Sequence, residues 1–341
     1  MGRITRVKSF AFRRPDGVLI YIPVPKHWDQ TLIPRISRGG YSVRTLVTAS
    51  PPPEASFSPV LIESKSTNGY LIPGSAILSP DTPHHDDAYY CAYNIIAADV
   101  ICRSSLNGEY RQASKNCVSA TSRDLIFHQD LFYLITWDSQ IPAAKSFDKD
   151  YSISLCSNGL VGPNDDGIPG WLCTSHNADR SPLRIKKSLE LPDYAITILC
   201  SLVPNAVNPF LRFFYLYQIV EYLMGRDFDS RITGLRQDFL TNQDPSMVEL
   251  REIVKKFQKA ANEETRINSA LDTACIHTSA AADALLDKLN IADEDLTFAG
   301  KIYRVRNTLF HDYRRLHDYD SEVSSLCQNL YSYLLARLMP S

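Results

Sequence analysis

In the last third of the chain, apolar residues return every three or four positions: Phe213, Leu216, Tyr217, Val220 and Met224 in one stretch, Val323, Leu326, Leu330 and Leu334 in another. With 3.6 residues per turn, such positions form one stripe of an α-helix, which is what a helix needs in order to bury a face. The same spacing predicts helices over residues 247–258, 266–274, 280–289, 294–313 and 321–338. Asn208 followed by Pro209 reads as a cap and first helical position for the segment PFLRFFYLYQIVEYLMG, with Gly225 as its stop. Residues 205–341 are expected to form an α-helical bundle.

The first two hundred residues have a different pattern. RITRVKSFAF, the turn Arg14-Pro15-Asp16-Gly17 and VLIYIPV together predict a hairpin, and VLIESKSTNGYLIPG predicts a second. One helix is expected over residues 86–103, while Pro51-Pro52-Pro53 and the cluster GPNDDGIPG read as surface connections. Of the 20 prolines, only Pro245 and Pro340 follow Pro209, so the later part is free to be helical. The expected fold class is α+β: a mixed, strand-rich domain over residues 1–204, then an all-α bundle over residues 205–341.

Composition narrows the partners. A chain of 341 residues with 44% hydrophobic and 22% charged residues carries a formal net charge of -2. That excludes wholesale disorder and gives no global polycation, so any nucleic-acid site must be local. The apolar run 195–203 is too short to span a bilayer, and the opening MGRITRVKSFAFRR has no apolar signal core, so a cytoplasmic protein without a membrane partner is expected. Eight scattered cysteines without a C-x-x-C pair suggest reduced, mostly buried thiols.

One stretch concentrates charge: KIYRVRNTLFHDYRRL, from Lys301 to Leu316. On a helical wheel, Ile302, Val305, Leu309, Tyr313 and Leu316 share one side and would dock the helix. Arg304, Asn307, His311 and Arg315 line the other, where Asn307 lies one turn before His311 and can orient its imidazole. Five basic residues against the single Asp312 leave a surplus of four positive charges between Lys301 and Arg315, which suits a phosphate. A charged helix face is most often simply solvated.

The hexapeptide Arg306-Asn307-Thr308-Leu309-Phe310-His311 resembles the R-N-x-x-x-H signature of HEPN-superfamily ribonucleases, in the penultimate helix of an all-helical domain. The helical layout of residues 205–341 resembles the ApeA-like branch of that superfamily, seen in bacterial anti-phage proteins. The resemblance implies an RNA endonuclease that needs no metal or other cofactor, uses the 2′-hydroxyl as internal nucleophile and leaves a cyclic phosphate. It implies Arg306, Asn307 and His311 as the catalytic residues, a homodimer through the helical domain, and a toxic role in phage defence or a toxin-antitoxin system. An antitoxin or phage-derived trigger would act on the N-terminal domain.

The residue chemistry fits, since an imidazole moves protons near neutral pH and a guanidinium stabilises charge on a phosphate. Arg304, Arg314 and Arg315 are the candidate substrate-binding residues. Arg306 and His311 are about 140° apart on an ideal helix, whereas Arg304 shares the face of His311, so either arginine can be the principal one. A dimer would set two motifs across one basic cleft, with Phe213, Tyr217 or Leu330 supplying apolar contacts outside it. Glu221 either orients an arginine of the motif or is a partly exposed glutamate.

No metal site is expected. His84-His85-Asp86-Asp87 precedes a predicted helix, where acidic residues favour the dipole. Cys173 and His176, with Cys156 upstream, lack a fourth ligand in order. Phosphate-binding glycine loops, the G-x-S-x-G elbow and H-E-x-x-H are absent from the sequence. The rival reading is a non-catalytic HEPN-like bundle that dimerises or binds nucleotide or RNA.

Overall fold

The computed structural model describes residues 9–13, 19–23, 41–48, 58–63, 68–78, 97, 127–137, 144–163, 182–241, 246–271, 275–291, 295–311 and 318–339. The chain divides into two compact units, Met1–Ile196 with Leu338–Ser341, and Thr197–Arg337. The first is built on strands and the second on helices, a mixed α and β protein.

In the first unit, β1 (Ser9–Arg13) and β2 (Leu19–Pro23) pair antiparallel. A five-stranded sheet has the order β3-β6-β5-β4-β7, from β3 (Tyr41–Leu46), β4 (Ser58–Ile62), β5 (Gly69–Pro73), β6 (Phe132–Trp137) and β7 (Leu183–Ile185). Its pairs are antiparallel except β4 with β7, which run parallel. Helices α1 (Gly74–Leu78) and α2 (Ala144–Ser157) belong to this unit, and Tyr151 and Leu155 of α2 join Val60, Leu71, Leu134 and Ile185 in its apolar core. A Cβ on Gly69 would lie 2.0 Å from the carbonyl oxygen of Ile135, so only glycine lets these two backbones approach. Of the helix expected over residues 86–103 only Ala97 is described, and it is helical and buried; the tract 51–53 lies outside the described residues.

A helical stretch follows: α3 (Asp193–Thr197), the wider π turn Ile198–Leu202, and α4 (Val203–Asn205). The remaining helices are α5 (Pro209–Thr241), α6 (Met247–Ala261), α7 (Glu263–Ala270), α8 (Ile276–Lys288), α9 (Phe298–His311) and α10 (Asp320–Arg337). Asn208 caps α5, its side-chain oxygen accepting from the backbone N–H of Phe210 at 2.8 Å and of Leu211 at 3.2 Å. Ser246 and Glu249 close a reciprocal capping box on α6.

Gly225 does not end α5, contrary to the sequence expectation. The helix runs through it to Thr241, and a Cβ at Gly225 would meet nothing within 4 Å. The helix continues although the residues beyond include three Asp and a second glycine, Gly234, and Asp227 pairs with Arg231 one turn later at 2.7 Å. A glycine stops a helix when the chain adopts positive φ there, and Gly225 does not. Between Gly225 and Lys259 no described residue is buried, so the end of α5 and most of α6 form a solvent-facing helical hairpin.

The core of the second unit lies where α5 and α8 pack on α10, and α9 packs on α8 and α7. Phe213, Tyr217 and Val220 of α5 and Leu326, Leu330 and Leu334 of α10 are fully or almost fully buried there. Phe213 and Tyr217 stack at 6.2 Å between ring centroids. Among the described residues no helix is long and apolar enough to cross a membrane. None of the described cysteines Cys156, Cys200, Cys275 and Cys327 is paired in a disulfide.

Candidate active site

Helix α9 carries the motif. Phe298, Ala299, Ile302, Val305 and Thr308 form its buried face. Leu309, expected on that face, is half-buried, and Thr308 is buried in addition. A threonine is tolerated there because its hydroxyl donates to the carbonyl of Arg304 at 3.0 Å, so no polar group is stranded. Tyr313 and Leu316, also expected to dock the helix, lie outside the described residues.

Arg306 is half-buried at the edge of this face, where its guanidinium carbon sits 5.6 Å from the ring centroid of Tyr217 and 4.9 Å from that of Phe310. Its Nη1 donates to Oδ1 of Asn307 at 2.9 Å. The amide is therefore engaged by the arginine beside it; among the described residues Asn307 makes no hydrogen bond to His311, the contact the helical spacing suggested. The long arginine side chain folds back over its own helix, and the neighbouring amide is its nearest acceptor.

Two polar groups at this place lack partners. The Nε of Arg306 and the hydroxyl of Tyr217 are buried and make no hydrogen bond among the described residues. Burial pushes the Tyr217 hydroxyl up to about 12, while the Arg306 charge pulls the other way. No carboxylate pairs with Arg306 among the described residues. Two aromatic faces and the Asn307 amide oxygen receive its charge, and none of them neutralises it.

The other candidate residues fall around this centre. Arg304 is exposed, as is His311 at the last position of α9. Arg314 and Arg315 lie outside the described residues, as do His84 to Asp87, Cys173 and His176. Glu221 is exposed and accepts a hydrogen bond from Gln218 at 3.2 Å, with no ion pair to Arg304 or Arg306. Lys301, counted with the basic cluster, is tied to Asp283 at 2.7 Å and Ser279 at 3.1 Å, so it adds less to the local field than the sequence suggests. Among the described residues no three His, Cys, Asp or Glu side chains come together as metal ligands would.

Phe213, Tyr217 and Leu330 are 0 to 2% exposed and cannot serve as contacts between copies. The helical period that marked them as an apolar stripe marks core as readily as interface. The exposed apolar side chains near the motif are Leu211, Phe214 and Phe310. Phe214 and Phe310 approach to 5.9 Å between centroids, and with Asn208, Phe210, Leu211 and Leu309 they line an open groove of about 360 Å³. Sequence reasoning missed Phe310 as a partner of Arg306, although the two are four apart on a helix and so share a side.

No protein-family model, no curated protein and no solved structure matches this chain.

Proposed function

We propose that the chain is a metal-independent RNA endonuclease whose catalytic residues are Arg306, Asn307 and His311. The observation that carries this reading is the state of Arg306: a half-buried guanidinium, held on two aromatic rings and one amide, with no carboxylate partner and a buried N–H left unbonded. An arginine kept for structure is ordinarily matched by an acid or by carbonyls, because an unmet buried donor is costly. A phosphate oxygen supplies what is missing.

In this reading His311 takes the proton of the 2′-hydroxyl, whose oxygen attacks the adjacent phosphorus. The bond from phosphorus to the 5′ oxygen breaks, and the departing oxygen receives the proton back. The products are a 2′,3′-cyclic phosphate and a 5′-hydroxyl. Arg306, held in orientation by Asn307, stabilises the charge on the non-bridging oxygens, and Arg304 with Arg314 and Arg315 holds the flanking backbone. Two copies joined through the helical unit would face their motifs across one cleft. The strand-rich unit would sense a phage product or hold an antitoxin, and release of the nuclease would arrest growth.

The rival reading is a binding bundle without catalysis. It is favoured by one observation, that within a single chain Asn307 contacts Arg306 and not His311. Expression in bacteria of the wild type and His311→Ala, followed by growth and total RNA, tests the proposal. The wild type is expected to arrest growth and degrade RNA, and the variant to do neither. Purified protein should cut RNA in the presence of a chelator and fail on a strand whose scissile nucleotide lacks its 2′-hydroxyl. A requirement for magnesium, or equal cutting of DNA, would overturn the mechanism.

A further inference from the structure

The groove between the start of α5 and the end of α9 takes no part in the proton transfer. Its walls are apolar and aromatic, and Phe214 and Phe310 are 38% and 49% exposed along it. Large aromatic side chains usually bury most of their surface, so two of them half open beside a cationic motif call for a ligand with a flat face.

We propose that this groove receives one nucleobase of a single-stranded RNA, stacked on one of the two rings and edged by the other, since Phe214 and Phe310 are tilted 53° to each other, with its phosphate turned toward Arg304 and Arg306. The identity of the strand rests on the ribonuclease reading, but base stacking does not require that cleavage occur. Three features select this occupant.

The first is size: about 360 Å³ is at the small end of cavities that hold a compact ligand, which suits a single base. The second is charge. The guanidinium of Arg306 already lies on the Phe310 ring and Arg304 is exposed two turns before His311, so a base on this aromatic pair has cations close by for its phosphate.

The third is Asn208. Two backbone N–H groups donate to its Oδ1, which fixes the amide orientation and leaves its Nδ2 without a partner among the described residues. That makes it a donor on an otherwise apolar wall, suited to a ring nitrogen or carbonyl on a base edge. Because every base has a stacking face and an acceptor, the subsite is expected to tolerate different bases.

The experiment uses full-length His311→Ala protein, so that RNA is not consumed, and a single-stranded RNA oligonucleotide carrying one 2-aminopurine. Saturable quenching of the 2-aminopurine is expected on binding. Phe310→Leu and Phe214→Leu, added to that background, should each weaken affinity about tenfold and reduce the quenching, while Phe310→Trp should keep both. Circular dichroism confirms that each variant is folded.

Unchanged affinity and quenching in Phe310→Leu would overturn the proposal. So would a loss of self-association in that variant with RNA affinity intact, which would give the groove to a second copy of the chain. Quenching by a protein whose wild type cuts no RNA would sustain the subsite and remove the ribonuclease reading. Cleavage by the wild type without quenching in the His311→Ala background would do the reverse.

Discussion

Arg306 and Phe310 are one turn apart on helix α9, and the guanidinium carbon of the first lies 4.9 Å from the ring centroid of the second. With Tyr217 at 5.6 Å, the two rings hold the guanidinium in place by faces that offer no hydrogen-bond acceptor. The arginine is positioned, with Nη1 donating to Asn307 and the buried Nε left without a partner among the described residues.

Arg306→Ala should therefore abolish cleavage and also lower stability by about 1 kcal/mol, the scale of a partly desolvated cation on aromatic rings. Arg306→Lys keeps the charge but loses the planar fork, and should retain no more than about a tenth of the activity. Cleavage assays and thermal melts on both variants check this. Wild-type rates from Arg306→Lys would show that a point charge suffices.

Cleavage should depend on protein concentration, because Arg306 and His311 are about 140° apart on one helix and a composite site needs a second copy. Light scattering should show a dimer, and specific activity should fall on dilution below its dissociation constant. A monomer fully active at every concentration would remove the composite site and make Arg304 the next arginine to substitute.

The buried hydroxyl of Tyr217 gives a pH dependence. An unfolded tyrosine ionises near 10 and Tyr217 in the folded chain near 12, so above pH 10 the unfolded state sheds its proton first. The contribution is whole below pH 10 and is lost as pH rises toward 12. Tyr217→Phe should flatten that alkaline loss and, by removing a hydroxyl without a partner, gain up to about 1 kcal/mol at neutral pH. Urea titrations at pH 7 and in the alkaline range measure both effects. Equal alkaline loss in the variant would assign it to other groups, such as Cys327, whose thiol burial also pushes up to about 12.

Two glycines should respond oppositely to alanine. Gly225→Ala should stabilise the chain by about 1 kcal/mol, since the position is mid-helix with open space around it. Gly69→Ala should destabilise it by several-fold more, because the new methyl would collide with the Ile135 carbonyl. Melting temperatures of the two variants give the comparison. A neutral Gly69→Ala would contradict the close approach of β5 and β6.

What the sequence determined by itself were features set over a few neighbouring residues. Helical period placed α6 to α10 within a few residues of their bounds, because each helix must bury one stripe, and Asn208-Pro209 marked the start of α5 because a cap is a local hydrogen bond. Hairpin chemistry likewise foresaw β1 with β2 and β4 with β5. Gly225 misled because a glycine ends a helix only where the following chain turns away, and nothing in the segment itself says whether it does.

Tertiary structure alone decided what each apolar stripe faces: the helical period marks Phe213, Tyr217 and Leu330 as core or as contacts between copies alike, and only the packing of neighbouring helices buries them. It also decided the surroundings of Arg306. A wheel fixes where a Cα lies, but a long flexible side chain goes where rings and an amide from two helices receive it, and that depends on α5 lying beside α9.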